Sequence, residues 1–248
     1  MKILAVDSSS KTASAALFED RKLTAQSSVL TETHSAVLLP MIEDMLKAVK
    51  TAVRDVDLMA VTVGPGSFTG VRIGVSLVKG LAFADKVPCV GVSTLEAMAA
   101  PFGGTEGLIV PVIDARRETV FSAVFRSSAD GTVTRLTEDA QMSLTELMTA
   151  LSAYGDERIY FTGDAMETVL AREDCPSGAS GVTGAAVTPP GLRSCAAIGA
   201  GILAYEIYTA PGAVKEDFTD AALVPAYLKK SQAERERDER IAAAAGKN

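Results

Sequence analysis

The chain has 248 residues, a formal net charge of −7, one histidine, three cysteines and 48% hydrophobic residues. That apolar share is enough for one large domain or two lobes, and the acidic balance excludes unaided binding of nucleic-acid phosphates, which needs clustered Lys and Arg. A lone histidine excludes a His-paired metal site; Cys89, Cys175 and Cys195 lie far apart without a C-x-x-C and read as small core residues; no apolar run nears the roughly 20 residues that span a bilayer, so a cytoplasmic protein without a membrane segment is expected.

Residues 2–7 form an apolar run ending on Asp7, and 12–18 and 22–29 follow as two further strands joined by tight turns. A helix comes next, capped by Thr31 or Thr33, with Val37, Leu38, Met41, Ile42, Met45, Leu46 and Val49 on one stripe and Pro40 near its first turn. His34 reads as a polar residue of that first turn. A buried strand at 58–63 leads into Gly-Pro-Gly-Ser-Phe-Thr-Gly (Gly64 to Gly70), and a second helix is expected over 69–84. A strand at 88–92, a helix from Ser93 to Ala100 and a linker from Pro101 to Thr105 complete the first half.

The second half starts the same way, with a strand at 108–113 ending on Asp114. Shifting the chain by 107 positions lays 6–19 over 113–126, and Asp7, Thr12, Ala16 and Phe18 meet Asp114, Thr119, Ala123 and Phe125. Residues 159–164 repeat the strand-to-glycine step of 61–66. A duplicated strand–hairpin–helix unit implies an α/β protein of two similar lobes facing a cleft, the actin-like/sugar-kinase class, with lobes at 1–103 and 104–230. Residues 172–191 read as loop around one short strand, 192–209 as a buried Ala- and Ile-rich helix, and 231–248 as a charged, disordered tail.

Three groups of residues carry functional expectations. The turn from Gly64 to Gly70 is neither a P-loop nor G-x-G-x-x-G, and two readings stand: a tight turn with Ser67 or Thr69 as N-cap, or a ligand-contacting loop. Asp7, Ser8, Ser9 and Thr12, with Gly64, Gly66 and Asp114, sit where this fold meets phosphates; the first turn lacks the glycines that wrap a phosphate, so the site is read as a degenerate nucleotide site. Asp114 is placed for a general base, but Arg116 and Arg117 beside it favour a structural ion pair. The helix pair offers the partner interface: Val37, Leu38, Met41, Ile42 and Met45 on one helix, and Gly70, Val71, Gly74, Val75 and Val78 on the other. Small residues four apart (Gly70 with Gly74, Ser76 with Gly80) let another helix approach closely, and the second helix is apolar on more than one face.

Taken together, Met1 to Ser9, Thr33-His34-Ser35 with Leu38-Leu39-Pro40, the run from Val63 to Gly74, Gly91 to Glu96, and Asp114-Ala-Arg-Arg117 resemble the TsaB family. Pro225-Ala-Tyr-Leu-Lys229 resembles that family's closing motif, and the resemblance is dense over 1–125 and thin from 126 to 220. It implies a bacterial, cytoplasmic, non-catalytic subunit that pairs with a TsaD-like catalytic paralogue through the first lobe's helices. A TsaE-like ATPase joins that pair to form N6-threonylcarbamoyladenosine in tRNA. On this resemblance the chain requires no cofactor or metal of its own, and ATP with magnesium belongs to the complex; the acidic charge leaves tRNA to be reached only through the complex, and without its partner the same helix face is expected to pair with itself about a two-fold axis as a homodimer. The rival is an active small-molecule kinase or ATPase of the same fold, which requires a competent turn at Ser8–Lys11 and an unpaired Asp114.

Overall fold

The structure, a computed structural model, describes residues 1–175 and 196–228. Five strands form the first sheet in the order β3-β2-β1-β4-β5: β1 (Lys2–Asp7), β2 (Thr12–Glu19), β3 (Lys22–Leu30), β4 (Leu58–Gly64) and β5 (Cys89–Ser93). β1 pairs antiparallel with β2 and parallel with β4. Its apolar run is continuous because both faces of the sheet are covered: Ile3 and Ala5 enter one core, Leu4 and Val6 another.

The second sheet is centred on β6 (Gly107–Asp114). It pairs antiparallel with β7 (Thr119–Ser122) and β8 (Phe125–Ser127) and parallel with β11 (Ile159–Thr162). β9 (Val133–Arg135) and β10 (Ala140–Ser143) lie outside these. The repeated unit is therefore present: β1 with β2 and β4 corresponds to β6 with β7 and β11, and each first strand ends on an aspartate paired into its hairpin, Asp7 with Ser14 and Asp114 with Val120. This is the two-lobed actin-like arrangement. The second copy of the hairpin departs from the first by breaking in two, since the Val124 amide leaves the ladder to donate to Thr137 Oγ1 at 2.8 Å.

The layers alternate. Helices α1 (His34–Ala48) and α2 (Phe68–Phe83) cover the outer face of the first sheet, and α4 (Leu144–Ser152) and α5 (Met166–Leu170) cover that of the second. Between the sheets lie α3 (Thr94–Ala99) and α6 (Ala196–Thr209), in one core holding Ile3 and Leu58 from the first sheet and Ile109 and Phe125 from the second. The middle position explains why α6 is apolar without a polar face. It also requires glycine: a Cβ at Gly199 would lie 1.7 Å from the Ala97 carbonyl oxygen.

Three sequence expectations change here. Grouping 104–230 as one lobe is corrected, because α6 packs on β1, β2 and β4, and Leu223 is buried in the first lobe's outer core. A chain reading has no signal for an element that returns across the molecule. α1 starts at His34 behind Thr33, whose side chain makes no cap bond; Thr31 Oγ1 instead accepts the Thr33 amide at 3.0 Å. Cys89 is buried, whereas Cys175 is only partly so. Cys195, the loop from 176 and the tail from 229 lie outside the described residues.

Candidate functional site

The lobes face a cleft of about 1010 Å³. Its walls are the β1–β2 turn (Ser9, Ser10, Lys11), His34, the β4–α2 turn (Gly66, Ser67), the β6–β7 turn (Asp114, Arg116), Asp164, and the segment 226–228. The sheets place these groups, because both hairpin turns emerge from the same ends of β1 and β6.

Asp7 is wholly buried and fixes the first turn. Its Oδ1 accepts the Ser9 amide at 3.1 Å, the Ser9 hydroxyl at 2.6 Å and the Thr62 hydroxyl at 2.6 Å. Burial pushes this carboxyl above its ordinary range, and the Ser9 and Thr62 donors pull it back in part. Asp7 Oδ2 and His34 Nε2 are buried without a hydrogen-bond partner among the described residues. Of the residues expected to form a degenerate nucleotide site, Ser9, Gly66 and Asp114 line the cleft, while Asp7, Ser8, Thr12 and Gly64 do not.

The glycines of the Gly64–Gly70 run are consumed by close packing inside the chain. A Cβ at Gly70 would sit 2.0 Å from the Ser8 carbonyl oxygen, and one at Gly74 would sit 2.5 Å from Ser8 Oγ. The Ser8 hydroxyl donates to the Gly70 carbonyl at 2.8 Å. The small residues thus admit the protein's own first turn, and this corrects their reading as a seat for a partner helix. Ser67 is the N-cap of α2, its Oγ accepting the Gly70 amide at 3.2 Å. Gly64 has φ +118, and its Cβ position lies 2.3 Å from the Ala226 carbonyl oxygen.

That last contact belongs to a strap. The Ala226 amide donates to the Val63 carbonyl at 2.6 Å. Tyr227 lies 4.7 Å from the Phe68 ring, and its hydroxyl accepts from Arg72 Nε at 2.7 Å. The Arg72 guanidinium sits 3.8 Å over the Phe68 ring, so one cation clamps the strap to α2.

On the opposite wall, Asp114 forms no ion pair among the described residues. Its Oδ1 accepts the Arg116 amide at 2.7 Å, which corrects the expected ion pair. The turn beyond it holds Arg116, Arg117 and Glu118 at φ of 68, 54 and 57, a left-handed conformation that costs a non-glycine residue about 1–2 kcal/mol. Arg116 anchors the turn, its carbonyl accepting from the Thr119 amide and hydroxyl.

Asp164 was missed by the sequence reading of the site. Its Oδ1 accepts the Asp114 amide at 2.9 Å, and the Lys11 amide and charge of the other lobe act on it. Burial raises its pKa, while these amides and the Lys11 charge lower it. The signal was available, since Gly163-Asp164 closes the strand that mirrors β4.

A phosphate cradle needs backbone N–H groups aimed into open space. Here the amides of Ser9, Thr12 and Ser67 are spent on Asp7, Ser10 and Ser9, and that of Asp114 on Asp164. The cleft already holds a carboxylate where an anion would bridge the lobes. These bonded amides are not free to hold a nucleotide polyphosphate.

The expected partner interface is also revised. Leu38, Met41, Ile42, Met45, Val71, Val75 and Val78 are buried against the first sheet, Gly70 and Gly74 are filled by Ser8, and only Val37 is partly exposed. The three- and four-residue spacing marks the inward face of each helix. The outward face carries Leu39, Glu43, Ser76, Gly80 and Phe83, with Phe83 73% exposed and open space at the Cβ position of Gly80.

A model of the family described as TsaD, tRNA N6-adenosine threonylcarbamoyltransferase, matches residues 26–236. The tRNA threonylcarbamoyladenosine biosynthesis protein TsaB of Escherichia coli (strain K12) is 37% identical over 133 residues, 53% of this chain and 58% of that protein, so the match spans little more than half of that relative. The protein of the same description from Bacillus subtilis (strain 168) is 35% identical over 164 residues, 66% of this chain and 71% of that one. The solved structure of YeaZ from Pseudomonas aeruginosa superposes with a TM-score of 0.71 at 25% identity, covering 92% of this chain and 99% of that one. Among the described residues no helix is long and apolar enough to cross a membrane.

Proposed function

The chain belongs to the TsaB family, within the wider TsaD-type family, and from that premise we propose that it is the non-catalytic subunit of the assembly that forms N6-threonylcarbamoyladenosine in tRNA. Its role is to bind and support a TsaD-like catalytic paralogue. The observation that carries the non-catalytic half is the occupied cleft: the Ser9, Thr12, Ser67 and Asp114 amides are bonded within the protein, and the Asp164 carboxylate lies between the lobes.

The partner surface is the outward face of α1 and α2. Ser76 and Gly80 lie one turn apart, and with no side chain over Gly80 an opposing helix can approach closely. Leu39 and Phe83 flank them as apolar anchors. The face also serves a homodimer when the paralogue is absent, and a TsaE-like ATPase joins the pair. With a net charge of −7 the chain meets tRNA only through the complex, in the cytoplasm.

The test is light scattering on the chain alone and mixed with the TsaD-like protein of the same organism, alongside reconstituted tRNA modification. Gly80→Glu is expected to keep the fold and lose the mixed complex. Co-elution of that variant with the paralogue would move the interface elsewhere.

One observation favours the kinase or ATPase reading: among the described residues Asp114 carries no ion pair, and it opens on the cleft. Asp114→Asn is expected to leave modification by the full assembly intact, and ATP with magnesium to leave the melting temperature of the lone chain unchanged. Failure of both expectations would establish the second reading.

A further inference from the structure

A second concavity, of about 680 Å³, lies away from the cleft between β3 and α1. β3 ends the first sheet, and among the described residues no strand lies along its outer side. The register identifies the groups on that side. The Thr31 amide bonds the Lys11 carbonyl, so the hydrogen-bonded pairs continue as Val29 with Ala13 and Ser27 with Ala15. Ser28 and Gln26 therefore turn N–H and C=O outward. Nine residues long, β3 lacks proline, and its one charge is Lys22 at its start. Exposed edges are ordinarily blunted by charge, proline or shortness, and this one is not.

α1 adds two further features. Pro40 lies inside the helix and donates no N–H, so the Ala36 carbonyl has no donor four residues on, and both residues line the groove. The floor is apolar, with Val29, Val37, Met41 and Met45. Asp44 is the one charged side chain of the lining, and no ion pair is recorded for it among the described residues.

We infer that this groove docks an extended segment of a partner protein, which adds to the first sheet along β3 and sets a Lys or Arg between two apolar residues against Asp44. The outward groups of Gln26 and Ser28 supply the backbone pairing, the floor receives the apolar side chains, and Asp44 selects the cation. A second copy of this chain is the poorer occupant. Antiparallel pairing of two β3 edges about a two-fold axis at Gln26 brings the Asp44 carboxylates toward one another, and neither groove lining holds a cation to separate them.

The experiment titrates the isotope-labelled full chain with the peptide acetyl-Ser-Val-Thr-Lys-Thr-Val-Ser-amide, one face of which presents Val, Lys and Val. Saturable amide shifts are expected at Gln26, Ser28 and the groove side of α1. Replacing the peptide Lys with Glu should weaken binding about ten-fold, and Asp44→Asn should cost the Lys peptide about three-fold, as a partly exposed ion pair does, and erase its advantage. Gln26→Pro removes an outward N–H while sparing the ladder to β2, and should abolish binding with an unchanged melting temperature. If that variant misfolds, Asp44→Asn carries the test alone. Equal binding of the Lys and Glu peptides, or no saturable shift on this edge, would overturn the inference. Shifts at Gln26 and Ser28 that depend on protein concentration without peptide would also overturn it, in favour of a second copy.

Discussion

Three glycines of α2 make the same substitution a probe of three environments. At Gly70 a Cβ would fall 2.0 Å from a backbone oxygen of Ser8, which cannot rotate away, so the first turn itself must shift. Overpacking of this kind costs roughly 1–3 kcal/mol or more, against about 1 kcal/mol gained from helix propensity. Gly70→Ala is therefore expected to lose about 2 kcal/mol net, a drop of roughly 4–8 °C in a chain of this size. At Gly74 the obstacle is Ser8 Oγ at 2.5 Å, a group that can turn aside only by giving up its 2.8 Å bond to Gly70. A smaller loss, about 1 kcal/mol, follows. Gly80 has nothing within 4 Å, so Gly80→Ala gains the full propensity term, about 0.8–1 kcal/mol or roughly 2–4 °C. The added methyl stands on the proposed partner face, where close helix approach tolerates it poorly. Affinity for the TsaD-like partner should fall about ten-fold, the effect of about 1.4 kcal/mol. Calorimetry on each variant and titration with the partner measure both quantities. A Gly80→Ala chain that is more stable and binds undiminished would refute the placement of the interface, and a tolerated Gly70→Ala would refute the packing argument.

Other perturbations reach the cleft. Burial holds the Asp7 carboxyl above its ordinary range, so the folded chain binds this proton more tightly than the unfolded chain, and stability falls as pH rises from the ordinary carboxylate pKa toward the raised one. Asp7→Asn removes that loss, so its stability relative to the parent should improve from pH 4 toward pH 8 in urea titrations; a pH-independent difference would count against a raised pKa. Asp164→Ala frees the Asp114 amide and removes the carboxylate that faces Lys11, and pyrophosphate should then raise the melting temperature of the variant but not of the parent; an equal response from both would mean the cleft is not plugged. Arg72→Ala releases Tyr227 and Phe68, and exchange of the Ala226 amide should quicken about ten-fold as the strap opens, the loss of about 1–2 kcal/mol of cation–π and hydrogen-bond energy; unchanged exchange would show that the strap is held elsewhere.

Much of the fold was legible in local pattern. An apolar run ending on aspartate reads as a strand leading into a polar turn, and its reappearance 107 residues later shows the duplication, because each repeat must bury its own sheet. The spacing of Leu38, Met41, Ile42 and Met45 identifies a helix with one apolar face. Local pattern does not say what covers that face, and here the protein's own sheet does. The glycines at 70 and 74 show the same limit: their spacing announces a close approach, but whether the approaching group is another chain or Ser8, 62 residues earlier than Gly70, is decided only when β1 and α2 come together. The expected pairing of Asp114 with its neighbouring arginines failed for a related reason, since the left-handed turn presents the Arg116 amide first. Asp164 gains its role from its bond to Asp114 and the nearness of Lys11 in the other lobe, which only the cleft brings together. The sequence by itself determined the repeated lobes, the strand and helix types and the family resemblance, because these depend on neighbours along the chain. Tertiary structure alone decided which apolar face remains outward, which amides are already spent and where the last helix lies, because each depends on contacts between residues remote in sequence.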